Sequence, residues 1–272
     1  MKKVNFNSVL SSYMKQFIEF KRAQSYKYEC QEKRLGKFDL FLQKENYQRK
    51  SITADIIDTY IEQLSTSLTP NGLASRLCSV SEFLKYHHAR FPDSYVIHEY
   101  PFKRTPAKRF FLYSSEDVCL LMKTAKQMKF NDELRSSCMF YLIALLSCTG
   151  LRIEEALSLL ENDVDLINKR LFIRDGKFGK QRYVPLHESA ALEIQKWYEL
   201  HDNYISEHGN SPLFIDAQGK RLTYSQALYS FTRIRKKCEM MKGCHSPRFH
   251  DFRHTYACNC ISKWQATGDV NK

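Results

Sequence analysis

The 272-residue sequence predicts a mainly α-helical protein of the α+β class, in which a small helical bundle precedes a mixed unit with a β-hairpin. Three observations support this prediction. Apolar residues recur at helical spacing through most of the chain. Pro92, Pro101 and Pro106 interrupt that spacing, and two short strand patterns flank a turn signal further on.

Four amphipathic segments make up residues 1–95. Thr53 is expected to cap the third segment, and Pro70–Asn71–Gly72 is expected to break the chain before the fourth. Because each segment has one apolar face to bury, we expect a small bundle of four helices. The residues that set the helical spacing are Val9, Tyr13, Phe17, Phe20, Leu35, Phe38, Leu42, Ile56, Ile57, Tyr60, Ile61, Leu64, Leu73, Leu77, Val80, Phe83, Leu84 and His87.

Residues 96–112 are predicted to link the bundle to the rest of the chain, since Pro101 and Pro106 interrupt the helical spacing there. The whole chain has 42 Lys and Arg against 30 Asp and Glu, a formal net charge of +12. This balance favours a polyanionic partner such as nucleic acid, with the linker along a phosphate backbone. A solvated basic linker fits the same pattern. The basic side chains of the linker are Lys103, Arg104, Lys108 and Arg109.

The second unit, residues 113–272, is predicted to mix helices with two short strands. An apolar helix over 139–146 is expected to stop at Gly150, where a new helix starts at once. Strand patterns lie at 171–174 and 181–186, with Asp175–Gly176 as the turn signal between them. Thr223 and Gln226 form a capping-box pattern at the start of a later helix, and the last helix follows Pro247, with core spacing to Ile261.

Nine cysteines, an odd number without paired spacing, predict free thiols in a reducing cytosol. The first residues lack the apolar core of a signal peptide, and no apolar run reaches the length of a membrane span, so a cytoplasmic protein without a membrane partner is expected. Two groups of possible zinc ligands lack the usual spacing, so no metal site is expected. These groups are Cys258 with Cys260, and Cys238 with Cys244 and His245.

Three segments contain residue types suited to a phosphate. Arg152 follows the Gly150 helix stop, where its planar fork and fresh backbone NH groups can bind phosphate oxygens. Lys177 and Lys180 lie in a glycine-containing hairpin, from which an ammonium group can contact phosphate or protonate a leaving alkoxide. His250 and Arg253, three residues apart on one helix face, suit acid–base chemistry at a phosphoryl centre. Each segment taken alone is more typical of an ordinary solvated surface.

Taken in order, the three segments resemble the tyrosine-type site-specific recombinases, the phage integrase-like family. The matching stretches are TGLRIEEAL at 149–157, GKFGKQRYVPL at 176–186 and HDFRHTYA at 250–257. The resemblance extends over residues ~110–262. It implies a tyrosine recombinase catalytic domain in 113–272, and it suggests that 1–95 is a SAM-like helical core-binding domain.

The resemblance also implies a role for each matching residue. Arg152 and Arg253 would bind the non-bridging oxygens of the scissile phosphate and stabilise the pentacoordinate transition state. Lys177 would protonate the departing 5′ oxygen, with Lys180 the less favoured candidate and a DNA contact. His250 would transfer a proton to or from the nucleophile, and Glu155 would support Arg152. No cofactor or metal is expected, because the arginines supply the positive charge.

One departure from the family pattern concerns the nucleophile. The family has a second His or Trp about two dozen residues after the HxxR arginine, and its tyrosine about three dozen after it. Here 19 residues follow Arg253. Trp264 comes too early, and Tyr256 stands where the family has an aromatic core residue. The resemblance therefore implies a catalytic domain that is truncated at its C-terminus and has no nucleophile in this chain.

The leading hypothesis is a recombinase or integrase that binds double-stranded DNA between its two domains. The complete family breaks and rejoins strands through a phosphotyrosine, within a tetramer of protomers on nucleoid DNA. The alternative is a catalytically dead DNA-binding remnant that interferes with intact relatives. Integration, excision, dimer resolution and transposition of mobile elements share one chemistry, so the sequence does not separate these roles.

Overall fold

The computed structural model describes residues 4–99, 109–176, 180–205, 210–240 and 246–268. The chain divides into two compact units, Met1–Ala107 and Lys108–Lys272. Each unit has its own buried apolar core. Helices predominate among the described residues, and the described strands form one antiparallel sheet, so the predicted mainly α class with a small sheet is confirmed.

The first unit is a bundle of four helices within its described residues. Phe17, Phe38 and Phe83 are fully buried where the helices meet, as their spacing predicts. Phe20 was expected on the same apolar face, but it is 47% exposed, because its ring packs at the edge of the bundle beside Tyr86. The helices are α1 (Ser11–Ala23), α2 (Glu29–Lys44), α3 (Ala54–Ser65) and α4 (Pro70–His88).

The expected break at residues 70–72 is instead the first turn of α4. Thr69 is the N-cap, and its hydroxyl accepts a hydrogen bond from Gly72 N at 3.3 Å. Proline is tolerated at this position because the first helical NH groups have no partner within the helix. Thr53 does precede α3 as predicted, although its side chain makes no capping hydrogen bond.

The described ends of the segment 96–112 pack into the two cores. Ile97 is 5% exposed and belongs to the core of the first unit. On the other side, Phe111 packs against the core of the second unit. The predicted linker residues Lys103, Arg104 and Lys108 lie outside the described residues, so their role as a DNA-contacting linker stays a prediction.

Six helices and one sheet form the described part of the second unit. Ser114 and Asp117 cap α5 reciprocally, and Thr223 and Gln226 form the predicted capping box of α9. The elements are α5 (Ser115–Gln127), α6 (Arg135–Thr149), α7 (Ile153–Ser158), β1 (Val164–Asp165), β2 (Arg170–Ile173), β3 (Arg182–Pro185), α8 (Glu188–His201), α9 (Tyr224–Lys237) and α10 (Phe249–Thr267).

The sheet has the antiparallel order β1-β2-β3, and Leu171 of β2 lies between Val164 and Val184 of its neighbours. The two predicted strands are present, each within a residue or two of its expected bounds. Strand β1 was not predicted, because two residues are too few to show the alternation that identifies a strand. The sheet places the start of β3 next to α7.

Helix α10 is buried in its first half and exposed in its second. Phe252 is 1% exposed and stacks on Tyr113 with ring centroids 4.2 Å apart. Ile261, which was expected in the core, is 49% exposed, since the end of α10 extends past the described core. No helix among the described residues has both the length and the apolar content needed to cross a bilayer.

Candidate phosphate-binding site

The junction between α6 and α7 is built around Gly150. This residue ends α6 in the left-handed region, with φ +60°, and its NH donates to the carbonyl of Leu146. A Cβ here would lie 2.6 Å from Cδ1 of Tyr256, so both the backbone angle and the close ring favour glycine. The sharp turn sets Arg152 at the start of α7.

Glu155 is the centre of the site. It is 6% exposed, and its carboxylate accepts hydrogen bonds from the backbone NH of Arg152 at 3.0 Å and from Nη1 of Arg152 at 2.8 Å. Arg182, the first residue of β3, donates to the same carboxylate from Nη1 at 3.1 Å and from Nη2 at 2.8 Å. Two guanidinium groups therefore share one buried carboxylate.

The ionisation of Glu155 follows from these contacts. Burial alone would raise the pKa of this carboxyl group, but the hydrogen bonds from Arg182 and Arg152 outweigh it and lower the pKa to about 2. The carboxylate is therefore negatively charged at neutral pH. A charged acceptor holds both guanidinium planes in fixed orientations, which is what binding of a second anion by the same arginines requires.

Arg253 brings a third guanidinium group to this junction. It lies on α10, and its Nη1 donates to the carbonyl of Gly150 at 2.8 Å. Partial burial lowers the pKa of Arg253, and the nearby positive charge of Arg152 lowers it further. Three guanidinium groups and one carboxylate leave an excess of two positive charges. We refer to Arg152, Arg182, Arg253 and Glu155 as the arginine cluster.

His250 lies one turn before Arg253 on the same helix. Partial burial lowers the pKa of His250, as do the neighbouring His254 and the charge of Arg253. The rings of His250 and His254 meet edge to face with centroids 4.6 Å apart. Phe110 stacks on the ring of His254 with centroids 4.8 Å apart. A histidine whose pKa is below its usual value is neutral at pH 7 and is able to accept a proton.

The start of α10 is fixed by Asp251, which is 1% exposed. Its carboxylate accepts hydrogen bonds from Arg248 N at 2.8 Å and from Arg248 Nη2 at 2.9 Å. Thr255, one turn later, accepts a hydrogen bond from Tyr113 N at 3.0 Å. These contacts hold the first two turns of α10, and with them His250 and Arg253, against the core.

The remaining predicted residues are placed as follows. Lys177 lies outside the described residues, so its position stays a prediction. Lys180 is exposed, and its carbonyl accepts a hydrogen bond from Gly176 N at 3.1 Å, which closes the base of the hairpin. Arg109 is exposed at the start of the second unit. The structure thus unites Arg152, Glu155 and Arg253, with His250 alongside.

Tyr256 is half-buried, with its ring against Gly150. Burial raises the pKa of Tyr256, and so does the hydrogen bond between its hydroxyl and the thiol of Cys260. The hydroxyl is thus engaged one turn further along α10, at a thiol and not at a guanidinium group of the arginine cluster. The exclusion of Tyr256 as the nucleophile stays a prediction.

Arg182 is the member of the arginine cluster that the sequence analysis did not single out. A signal was present, because Arg182 and Val184 are two residues apart in β3 and therefore lie on one face of the strand. Both are partly buried, while Tyr183 between them is exposed. A charged residue on the inward face of a strand requires a buried partner of opposite charge, and Glu155 is that partner.

Comparisons with known proteins identify the family of this chain. The sequence signature of the Phage integrase family matches residues 112–265. The y4rB protein of Sinorhizobium fredii (strain NBRC 101917 / NGR234), itself a proposed integrase/recombinase, is 30% identical over 265 residues. The match covers 94% of this chain and 83% of the relative. This chain belongs to the phage integrase family.

Other relatives of this integrase-family chain are more distant. The tyrosine recombinase XerC of Staphylococcus aureus (strain MSSA476) is 23% identical, over 84% of this chain and 74% of its own. Among solved structures, the Tn1549 transposon integrase with transposon right end DNA has a TM-score of 0.68 at 16% identity, covering 94% and 87% of the two chains. XerH bound to palindromic difH substrate has a TM-score of 0.62 at 19% identity, covering 85% and 68%.

At these identities the solved structures show a shared fold. The family signature, in contrast, spans all the described members of the arginine cluster and His250. The relatives support a site-specific tyrosine recombinase or integrase, and they do not favour the catalytically dead remnant as the alternative. The integrase-like residues found in the sequence therefore lie in a genuine member of the family.

Proposed function

We propose that this integrase-family chain binds double-stranded DNA and that its arginine cluster binds the phosphate at which strands are broken and rejoined. The observation that supports this most strongly is the charge balance of the cluster. Glu155 neutralises one of the three guanidinium groups, which leaves two positive charges where α7, β3 and α10 meet. A phosphodiester gains a second negative charge as its pentacoordinate transition state forms, and this surplus complements that charge.

Arg152 and Arg253 are proposed to contact the two non-bridging oxygens of this phosphate. Arg152 donates to Glu155 through Nη1, and Arg253 donates to Gly150 through its own Nη1, so each guanidinium group has further NH donors for a ligand. Arg152 has a side chain that is 35% exposed, which allows an external phosphate to reach it. Fixed donors of this kind need little reorganisation as charge develops.

Proton transfer is proposed to involve Lys177 and His250. Lys177, the residue after Gly176 in the sequence, would donate a proton to the departing 5′ oxygen. His250 would take the proton of the attacking hydroxyl, since its lowered pKa keeps the ring neutral near pH 7. The arginines would then provide the positive charge and these two residues the proton movements.

The attacking group in the proposed reaction is a tyrosine other than Tyr256, and the product is a 3′-phosphotyrosyl link. Tyr256 is unsuited because its ring packs on Gly150 and its hydroxyl bonds to Cys260. Several protomers on one DNA, in a tetramer, would exchange the strands. The DNA backbone is proposed to be contacted by the basic residues Lys103, Arg104, Lys108, Arg109 and Lys180. The reaction would take place on nucleoid DNA in the cytoplasm.

DNA binding by the arginine cluster is tested with a fluorescent 30-base-pair duplex and anisotropy at several salt concentrations. We expect Arg152→Ala and Arg253→Ala to weaken binding about tenfold each, and to reduce the slope of log affinity against log salt by about one. Arg170→Ala, at a partly exposed arginine paired with Asp165, removes the same charge and serves as the matched control. Equal losses in all three variants would show that general charge, not the cluster, binds the phosphate.

The exclusion of Tyr256 is tested with a duplex that carries a nick and traps covalent intermediates. We expect no protein–DNA adduct that resists SDS from the wild type or from Tyr256→Phe, because no tyrosine of this chain is proposed as the nucleophile. An adduct in the wild type that disappears in Tyr256→Phe would identify Tyr256 as the nucleophile.

A further inference from the structure

A second cluster of titratable side chains lies where the end of α8 meets the turn before β1. It consists of Glu161, His201 and Asp202, whose ligand atoms all lie within 4.8 Å of one another. Two backbone contacts join the segments around them. Glu161 N donates to the carbonyl of Ser211 at 3.0 Å, and Leu160 and Pro212 form an antiparallel bridge. The cluster therefore sits at a junction of three chain segments.

His201 has one satisfied and one unsatisfied ring nitrogen. Its Nε2 lies 2.9 Å from the carbonyl oxygen of Pro212, and a carbonyl oxygen accepts hydrogen bonds and cannot donate them. Nε2 must therefore bear a proton. The residue is fully buried, and its Nδ1 has no hydrogen-bond partner in the part of the chain that the structure describes. In the neutral ring, Nδ1 carries a lone pair directed at the cluster.

The distances around Nδ1 are too long for hydrogen bonds. Nδ1 lies 3.6 Å from Oε1 of Glu161 and 3.8 Å from Oδ1 of Asp202, and N–H···O hydrogen bonds do not extend to about 3.6 Å. Protonating His201 would leave this NH without a good acceptor, and deprotonating it would leave a lone pair facing two carboxylates. Neither form of the histidine is satisfied by the two acids alone.

The same distances suit a tetrahedral metal ion. Metal–ligand bonds of about 2.1 Å at tetrahedral angles separate neighbouring ligand atoms by about 3.4 Å, close to the two distances at Nδ1. Octahedral geometry would bring them to about 3.0 Å at the same bond length. The side chain of Asp202 is 49% exposed, so it is free to rotate inwards and leaves a path for an ion to enter.

We propose that Glu161, His201 and Asp202 bind a divalent transition-metal cation of the zinc class. Nδ1 of His201 and one oxygen of each carboxylate would be the ligands, with water in the fourth position. An imidazole among the ligands selects zinc-like ions over magnesium and calcium, which prefer oxygen alone. The Pro212 carbonyl fixes the ring tautomer that leaves Nδ1 available, as outer hydrogen bonds do at known metal sites.

The electrostatics of the neighbourhood agree with a cation. Tyr198 donates from its hydroxyl to the carbonyl of Glu161 at 3.3 Å. Burial raises the pKa of Tyr198, and the negative charges of Glu161, Asp202 and Asp163 raise it further. A divalent ion bound by the cluster would neutralise two of these charges. Its role would be structural, since it would tie the end of α8 to the turn that leads into β1.

The test uses the whole protein, stripped with EDTA and titrated with ZnCl2 against a chromogenic competing chelator. We expect the wild type to bind one equivalent of zinc more than Glu161→Gln/Asp202→Asn, and its thermal midpoint to rise with ZnCl2. Glu188→Gln/Glu199→Gln removes two acids from exposed positions of α8 and is expected to bind zinc like the wild type. Glutamine and asparagine keep nearly the size and shape of the acids that they replace, so both double variants should fold.

Zinc bound by cysteine thiols is separated from this site with Co²⁺. A nitrogen and oxygen site gives visible tetrahedral bands without the strong near-ultraviolet sulfur-to-cobalt transition, and we expect the difference between wild type and Glu161→Gln/Asp202→Asn to show only the visible bands. The proposal is overturned if the two proteins bind equal zinc. It is overturned equally if ¹⁵N NMR finds a proton on Nδ1 of His201 at saturating ZnCl2.

Discussion

A buried carboxylate of the first unit, Asp39, and a buried carboxylate of the second unit, Glu155, are satisfied in opposite ways. In the first unit, Asp39 is fully buried and accepts from Asn7 N at 2.8 Å and Ser8 N at 3.1 Å, with the Ser8 hydroxyl and Gln43 Nε2 as further donors. All of these donors are neutral. In the second unit, the carboxylate of Glu155 accepts from two guanidinium groups.

The difference separates an acid that maintains the fold from an acid that prepares a site. Neutral donors satisfy Asp39 completely and leave nothing for a ligand, so its contribution is to fasten the N-terminal segment to α2. Charged donors at Glu155 exceed what one carboxylate neutralises, and the surplus is available to an external anion. A buried acid with an excess of cationic partners therefore indicates a binding function, whereas a buried acid with neutral partners indicates structure.

The largest expected effect is from Glu155→Ala. Removal of the carboxylate leaves Arg152 and Arg182 as neighbouring unpaired charges, and we expect the free energy of unfolding of the second unit to fall by about 3–5 kcal/mol. Both tryptophans of the chain, Trp197 and Trp264, lie in this unit, so their emission during urea denaturation monitors it separately. Glu154→Ala, at the exposed neighbouring position, is the matched control. A loss below 1 kcal/mol would remove the distinction between the two acids.

The pH dependence of stability should follow Glu155. Its pKa falls from 4.5 to about 2 on folding, so its ionised form stabilises the folded state above pH 4.5. As the pH decreases from 4.5 to about 2, we expect the free energy of unfolding of the second unit to fall by about 3 kcal/mol through this group. Glu155→Gln should lack this part of the acid dependence. Identical profiles between pH 5 and 3 for wild type and variant would contradict the lowered pKa.

A smaller effect is expected from Asp39→Ala. The variant leaves the NH groups of Asn7 and Ser8, the second of them buried, without this acceptor, which costs about 1–3 kcal/mol in the first unit. Hydrogen exchange of α1 and α2 measures this loss. Asp58→Ala, at an exposed position of α3, is the control. DNA affinity at the arginine cluster should be unchanged once the variant is folded. An altered salt slope in Asp39→Ala would mean that the first acid also has a binding role.

The smallest effect is expected from Arg182→Lys. Lysine keeps the charge but replaces the two parallel donors to Glu155 with one, and we expect a loss of about 1 kcal/mol in the second unit. Urea denaturation followed by tryptophan emission is again the measurement. The DNA salt slope should remain within error of the wild type, because the total charge is the same. If Arg182→Lys loses as much stability as Glu155→Ala, the paired geometry matters more than the charge.

Much of the fold was predictable because its signals are local. The helix stop at Gly150, the capping box at Thr223 and the apolar spacing of α1 to α4 each depend on residues a few positions apart. The same locality explains the failures. A proline breaks a helix in its interior but is tolerated in the first turn. The local sequence around Pro70 does not show which of the two positions it occupies.

The candidate site was only partly predictable, because its members meet through tertiary structure. Arg152 and Glu155 are three residues apart and were found together, but Arg182 comes from a strand 27 residues later in the chain. The cluster at His201 is harder still, because Glu161 and His201 are separated by all of β1 to β3 and most of α8. No spacing rule connects such residues. The sheet brings Arg182 to Glu155, and contacts with Ser211 and Pro212 bring Glu161 close to His201.

The shared carboxylate of Glu155 has a consequence for how this protein can change over evolutionary time. Arg152 and Arg182 each have a favourable environment only while the acid is present, and the acid is stable in its buried position only while they are. Single substitutions at either partner should therefore be rare among functional descendants. Relatives that lose the acid at position 155 should also have lost the arginine at position 182, so the two positions should vary together.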